Sequence, residues 1–231
     1  MHPGGQDPDR LALVMGESGE TRTYGELDAN ANRVSRLLRE HGLEVGGHVA
    51  LIVENSPVFF DIVWGSRYAG LFYTACSTGL TGEELAYIVD DCGATTVFLS
   101  ARYADRAEAL RNRAPNVEHW LSVGGAIEGF EAYEDAVAHH EPTPLDETRI
   151  AGRDMLYSSG TTGKPKGIRP TTEFVPLEET PIIVTEILAG MFGVGPDDVY
   201  LSPAPLYHAA PLRFCMSFHQ LGSTVVVMES S

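Results

Sequence analysis

The sequence is short of cysteine, short of positive charge and without a long hydrophobic run. Three cysteines occur in 231 residues, Cys76, Cys92 and Cys215, spread without a CxxC pair. Neither a disulfide framework nor a zinc site is expected from such a pattern. Lys and Arg number 16 against 32 Asp and Glu, a net charge of −16. A protein that binds nucleic acid or an anionic membrane non-specifically carries the opposite excess, so no nucleic-acid partner is expected and any phosphate site must be local. No window approaches the roughly 18 uninterrupted apolar residues of a membrane span, and the opening ten residues lack the basic-then-apolar form of a secretory leader. These absences predict a soluble chain in a reducing, cytoplasmic setting. What is present is an ordinary globular composition, 43% hydrophobic and 21% charged, at a length suited to one large domain or one and a half.

The hydrophobic pattern alternates between helical and extended periods. Thr23-Tyr24-Gly25-Glu26 has the form of a capping box, and Leu27, Ala31, Val34 and Leu38 follow at helical spacing, which predicts a helix over about 24–40 closed by His41-Gly42. Val49 to Val53 is of strand length. Ser56-Pro57 opens a second helix bearing Phe60, Val63, Trp64 and Tyr68. Leu71 to Ala75 then reads as strand, Thr81-Gly82-Glu83-Glu84 as another capping box leading Leu85, Ile88 and Val89, and Thr95 to Leu99 as strand. Residues 101–113 are expected as helix, 117–123 as extended, and 130–139 as helix with Phe130, Tyr133 and Val137 on one stripe. Later come a strand at 155–158, a helix within 177–192 with Ile183, Ile187 and Met191 on one face, a strand at 199–202, a helix over 212–221 and a strand at 224–228. This is the alternation of an α/β protein.

The polar, proline-bearing stretch Glu141 to Thr148 interrupts the alternation and marks a connector. The expected organisation is a first α/β subdomain over 1–140, a connector over 141–152, and the start of a second α/β subdomain over 153–231. No internal repeat is visible. The apolar strand at 224–228 falls so near the last residue that more sheet is expected beyond it, with an open edge there and self-association as its consequence.

The sharpest local feature runs from Tyr157 to Gly167, where three glycines, four hydroxyl residues of Ser and Thr, and two lysines fall within eleven residues. Small residues let backbone N–H groups approach an anion, hydroxyls add donors and lysine supplies charge, which together suit a triphosphate. A solvated turn has a similar composition. The loop is not a Walker A sequence, because Gly160 and Gly163 are two residues apart and Pro165 follows Lys164. Ser158-Ser159-Gly160 is likewise not the Gly-x-Ser-x-Gly elbow of a serine hydrolase. Cys76 and Cys215 sit among apolar residues and are expected in the core. His139-His140 reads as a solvated helix end, and His2, His41, His48, His119 and His219 are spread singly along the chain, so no metal-binding residues are assigned.

The unbroken string Ser158, Ser159, Gly160, Thr161, Thr162, Gly163, Lys164, Pro165, Lys166 and Gly167 resembles the phosphate-binding signature of the acyl-adenylate-forming, AMP-binding superfamily. Two further stretches resemble the same superfamily in the same order. The first comprises Thr23 to Leu27, Ala31-Asn32-Arg33, Gly46 to Ala50, Asn55-Ser56, Tyr68-Ala69-Gly70 and Glu84-Leu85. The second is Pro203-Ala204-Pro205-Leu206-Tyr207-His208-Ala209-Ala210-Pro211-Leu212. The continuation Lys166-Gly167-Ile168-Arg169-Pro170 departs from the commoner one and is similar to that of bacterial fatty-acid and acyl-CoA synthetases.

The resemblance implies a layered α/β/α N-terminal domain and a two-step ligase. A carboxylate, in this subgroup a fatty acid, attacks the α-phosphate of ATP with Mg2+, and the acyl-adenylate passes to coenzyme A. Ser158, Ser159, Gly160, Thr161, Thr162, Gly163 and Lys164 would line the phosphates, with Lys166 either beside them or facing solvent. His208 would stand near the bound carboxylate as the catalytic residue, or else pack at a helix start; Tyr207 is expected to pack. The superfamily's adenine, ribose and C-terminal lysine motifs are not found in the sequence, so an N-terminal fragment, inactive alone and truncated before the second subdomain is complete, is expected. Two alternatives stand beside it: a non-catalytic half that complements a C-terminal partner, and an adenylation domain for another carboxylate such as an amino acid.

Overall fold

The computed structural model describes residues 2–145, 147–158, 165–171, 173–179 and 181–229. Strands β1 (Leu11–Met15) and β2 (Thr21–Thr23) lead into α1 (Tyr24–Glu40), β3 (His48–Ile52), α2 (Pro57–Tyr68), β4 (Phe72–Ala75), α3 (Gly82–Cys92) and β5 (Thr96–Ser100). Next come α4 (Ala107–Arg113), β6 (His119–Val123), β7 (Glu131–Ala132), α5 (Tyr133–Ala138), β8 (Arg153–Asp154), β9 (Leu156–Ser158) and β10 (Lys166–Ile168). The remainder is α6 (Ile183–Phe192), β11 (Val199–Ser202), α7 (Ala209–Gln220) and β12 (Thr224–Val227).

Local chemistry sets the helix starts. In both capping boxes the threonine hydroxyl accepts from the N–H three residues on, and the glutamate there accepts from the threonine N–H, at 3.2 and 2.8 Å for Thr23 and Glu26 and 3.3 and 2.9 Å for Thr81 and Glu84. Each box satisfies two backbone donors that a helix start otherwise leaves unpaired. Ser56 caps α2 through the Phe59 N–H, with Pro57 in the first turn. Gly93 ends α3 in the left-handed conformation, φ 72°, which glycine adopts without steric cost.

β3 to β8 form a six-stranded parallel sheet in the order β7-β6-β5-β3-β4-β8. β3, β4 and β5 are buried along their whole length, as a parallel sheet covered on both faces requires. In β3, Val49 and Leu51 point into one core with α1 and α2, while Ala50 and Ile52 point into a second with Leu85, Ile88 and Val89 of α3 and Leu110 of α4. The first core continues through α7, by Leu212, Cys215 and Met216, to Leu13, Met15, Val225 and Val227 of a second sheet, order β11-β12-β1-β2.

Several expectations are corrected here. Residues 101–113 are not one helix: Ala101–Arg106 is a 3-10 turn with Tyr103 outside helical angles, and α4 starts at Ala107. α5 begins at Tyr133, because Glu131–Ala132 pairs with β6. β12 is not an open edge; it lies between β11 and β1, parallel to both. The edges fall at β11 and β2 instead. His219 shows how the second sheet is locked: Trp64 Nε1 donates to its Nδ1 at 3.2 Å, so its Nε2 carries the hydrogen donated to the Ala12 carbonyl, also at 3.2 Å. Among the described residues no helix is long and apolar enough to cross a membrane.

Candidate functional site

Two of the strings that stand out in the sequence, from distant parts of the chain, meet at the carboxyl end of β4. β9 and β10 form an antiparallel hairpin in which Ser158 opposes Lys166, Tyr157 opposes Gly167 and Leu156 opposes Ile168. The hairpin therefore brings together the two ends of segment 159–164, which lies outside the described residues; Ser159, Gly160, Thr161, Thr162, Gly163 and Lys164 all belong to it. Ser158 lies in β9, and Lys166 lies in β10 with an exposed side chain.

The base of the hairpin is held by a buried relay. The Thr74 hydroxyl donates to the Met155 carbonyl at 2.7 Å and, having spent its hydrogen, accepts from His48 Nε2 at 2.8 Å. Burial, and secondarily the charge of Arg169, push the His48 pKa down to about 3, so the ring remains neutral. His48 is thus a structural residue that joins β3, β4 and the strand entering the loop.

His208 is positioned from two sides. Asn55, just past the end of β3, accepts from the Leu206 N–H at 2.8 Å and donates to the carbonyls of Ala204 and Met228 at 3.3 and 2.8 Å. Arg213 on α7 donates twice to Asp154 Oδ2, at 3.1 and 2.7 Å, tying the helix that begins after His208 to the strand preceding β9. This hydrogen bonding raises the Arg213 pKa further. His208 occupies the cap position of α7, makes no side-chain cap bond, and stands exposed with its ring 4.5 Å from that of Tyr207. Tyr207 packs against the first core.

Between these elements lies a cleft of about 260 Å³, lined by Thr74, Ala75, Cys76, Ser77, Leu80, Ile88, Tyr157, Pro165, Tyr207 and His208. Both arms of the loop and His208 border the same space. Its walls are largely apolar, and no Lys, Arg, Asp or Glu lines it among the described residues. Burial holds the Cys76 thiol well above its ordinary pKa and pushes Cys215 up to about 12, so neither is a thiolate. A second cleft of about 290 Å³ shares Tyr207 and reaches Glu54, Asn55 and Arg102, at the ends of β3 and β5, where the strand order of the sheet reverses. That is the position at which open α/β sheets bind ligands. Three larger clefts, about 660, 420 and 320 Å³, touch neither the loop arms nor His208. Among the described residues no group of three or more His, Cys, Asp or Glu could hold a metal ion.

Sequence reasoning assigned no role to Thr74, Asn55, Asp154 or Arg213. Asn55 belonged to a recognised string, but its part in holding the His208 segment depends on a contact 151 residues away.

The chain matches the family model for AMP-binding enzyme over residues 2–231, and it belongs to that family. It is 28% identical over 214 residues to a fatty acid–[acyl-carrier-protein] ligase of Streptomyces coeruleorubidus, covering 92% of this chain and 40% of that protein. It is 29% identical over 226 residues to a long-chain-fatty-acid–CoA ligase of Mycobacterium tuberculosis, covering 95% and 42%. Among solved structures, the inhibitor-bound N-terminal domain of FACL13 from Mycobacterium tuberculosis superposes with a TM-score of 0.81 at 24% identity, over 97% of this chain and 54% of that one. ATP-bound MatB from Rhodopseudomonas palustris gives 0.77 at 25% identity, over 97% and 43%. The chain spans about two fifths of the length of the curated relatives it matches.

Proposed function

We propose that this chain supplies the phosphate-holding part of an ATP-dependent ligase that converts a carboxylic acid, in the first instance a fatty acid, to an acyl-adenylate and then to acyl-coenzyme A. Members of the AMP-binding family activate carboxylates as acyl-adenylates. The observation that carries the proposal is the convergence of Tyr157, Pro165 and His208 on one cleft. In the first step a carboxylate oxygen bonds to the α-phosphorus of ATP and the bond to the β-phosphate oxygen breaks, releasing pyrophosphate. The protein's task in such a displacement is to position and neutralise rather than to bond covalently. Ser158 to Gly163 would direct hydroxyl and backbone donors at the β- and γ-phosphates, and Lys164 would balance the charge of the departing pyrophosphate. Lys166, exposed on β10, would reach the same charge from outside. His208, at the rim, would hold a carboxylate oxygen of the substrate toward the phosphorus. Mg2+ would accompany the bound ATP and supply charge neutralisation, and no residue of this chain is assigned to hold it. In the second step the coenzyme A sulfur attacks the acyl carbon and AMP leaves. The apolar walls favour an uncharged acyl group, and the three buried free cysteines suit the cytoplasm, where we place the reaction.

Two readings of the same site remain distinct from this one. An adenylation domain for an amino acid is supported by a 29% identical stretch of 161 residues in tyrocidine synthase 3 of Brevibacillus parabrevis, and ATP–pyrophosphate exchange across fatty, aryl and amino acids separates the two. A complementing half would show exchange only when a C-terminal half is added.

The direct test is thermal unfolding of the 231-residue chain with and without saturating MgATP. The expected result is a transition raised by MgATP, since a ligand of the native state stabilises it by mass action, and a loss of about 1–3 kcal/mol of binding energy in Lys164→Ala. Equal response of the two proteins would remove the loop from nucleotide binding.

A further inference from the structure

Helix α3 turns two polar side chains, Tyr87 and Asp91, toward the hairpin from positions one helical turn apart. The Tyr157 hydroxyl donates to Asp91 Oδ2 at 2.5 Å, and the Tyr87 hydroxyl donates to the Pro165 carbonyl at 3.4 Å. Tyr157 lies on the arm that enters segment 159–164, and Pro165 is the first residue after it. One helix thus grips both arms. Burial, and then the hydrogen bond to Asp91, hold the Tyr157 phenol well above its ordinary pKa, so it remains a donor.

Gly167 makes the grip geometrically feasible. It opposes Tyr157 across the hairpin, and a Cβ added there would stand 2.8 Å from the tyrosine Cζ and 2.5 Å from Met155 Cε. With glycine there, the ring lies across the strand on its way to Asp91 without meeting a Cβ. The hairpin needs such an anchor. Its strands have three residues each, Lys166 and Ile168 point into solvent, and a two-stranded ribbon of that size is marginal alone.

We propose that Asp91 and Tyr87 are positioning residues for the nucleotide: by fastening the Tyr157 and Pro165 arms to the cleft wall they hold that edge of the cleft in place before ATP binds. This rests on the phosphate-holding reading of the loop. Without the grip, MgATP would have to order the hairpin as it binds, and that entropy would be subtracted from affinity.

The test uses the 231-residue chain, with Asp91→Ala, Tyr157→Phe, the double variant, and Lys164→Ala for comparison. Amide exchange of residues 156–158 and 166–168 is followed without nucleotide, and MgATP affinity is measured by titration calorimetry well below the unfolding temperature. Each single variant is expected to exchange those amides about tenfold faster and to bind MgATP about tenfold more weakly, the effect of losing one hydrogen bond to a charged group. The double variant should be no worse than either single, since both remove the same bond. A parent that binds MgATP beside single variants of equal affinity would overturn the positioning role and leave the phosphate reading standing. Unchanged exchange would overturn it too. A parent and a Lys164→Ala variant that both ignore MgATP would overturn the two together.

Discussion

Helices α2 and α6 have similar lengths and apolar sequences, yet they occupy opposite kinds of environment. All but one of the twelve residues of α2 are buried, and Trp64 is fully enclosed. In α6 the stripe Ile187 and Met191 is exposed, at 45% and 77%, with Phe192 at 71%, while Thr185 and Leu188 turn inward. Each helix carries a glycine, and the two glycines measure the difference. A Cβ on Gly65 would stand 2.5 Å from Val34 Cβ, because α1 and α2 touch there backbone to side chain; a Cβ on Gly190 would meet nothing within 4 Å. A helical hydrophobic period therefore states that a helix exists, and the surrounding elements decide which face is covered.

Substitutions can break or sharpen that comparison. Trp64→Ala should cost the most, about 3–5 kcal/mol, from the cavity it leaves. It also takes the donor from His219. Chemical denaturation at neutral pH measures this loss.

The pH dependence of the packed region comes next. Burial lowers the His219 pKa to about 4, against an unfolded value near 6.5. The unfolded state therefore binds the extra proton as pH falls, so this histidine withdraws stability between about pH 6.5 and 4, by about 3 kcal/mol in all, and contributes no pH dependence above that range. His48 acts in the same direction. Asp61 opposes them: burial raises its pKa to about 7, so its folded form keeps a proton that the unfolded form loses, and its contribution declines as pH rises through the interval from about 4 to 7. Stability of His219→Gln against pH should follow a flatter acid limb than the parent; an identical limb would exclude His219 as its source.

Gly65→Ala is expected to cost about 1–3 kcal/mol, the penalty for overpacking a close helix contact. Gly190→Ala should change sign and gain about 0.5–1 kcal/mol, since a mid-helix glycine in open space has only its entropy to lose. Opposite shifts in unfolding temperature for the same substitution would confirm the contrast, and equal shifts would erase it.

The loop region teaches a related lesson. Segment 157–167 was legible as a string because its chemistry is written in consecutive residues. What holds its arms was not, since Thr74, Tyr87 and Asp91 come from an earlier strand and helix whose own patterns speak only of core and capping. β1 and β2 were not read as strands from the sequence, and β1 gains its meaning from β12, more than 200 residues later. β8, two residues long, is a strand only because β4 offers an edge.

By itself the sequence determined the α/β alternation, the caps of α1, α2 and α3, the family and the candidate phosphate loop, because each depends on residues within a few positions of one another. Tertiary structure alone decided that the first and last strands share a sheet, that β12 is interior and β11 is the edge, that the outer stripe of α6 is exposed, and that His208 borders the same cleft as Tyr157 and Pro165. Those outcomes depend on which distant surfaces meet, and no local pattern of propensity, charge or spacing encodes a meeting between surfaces.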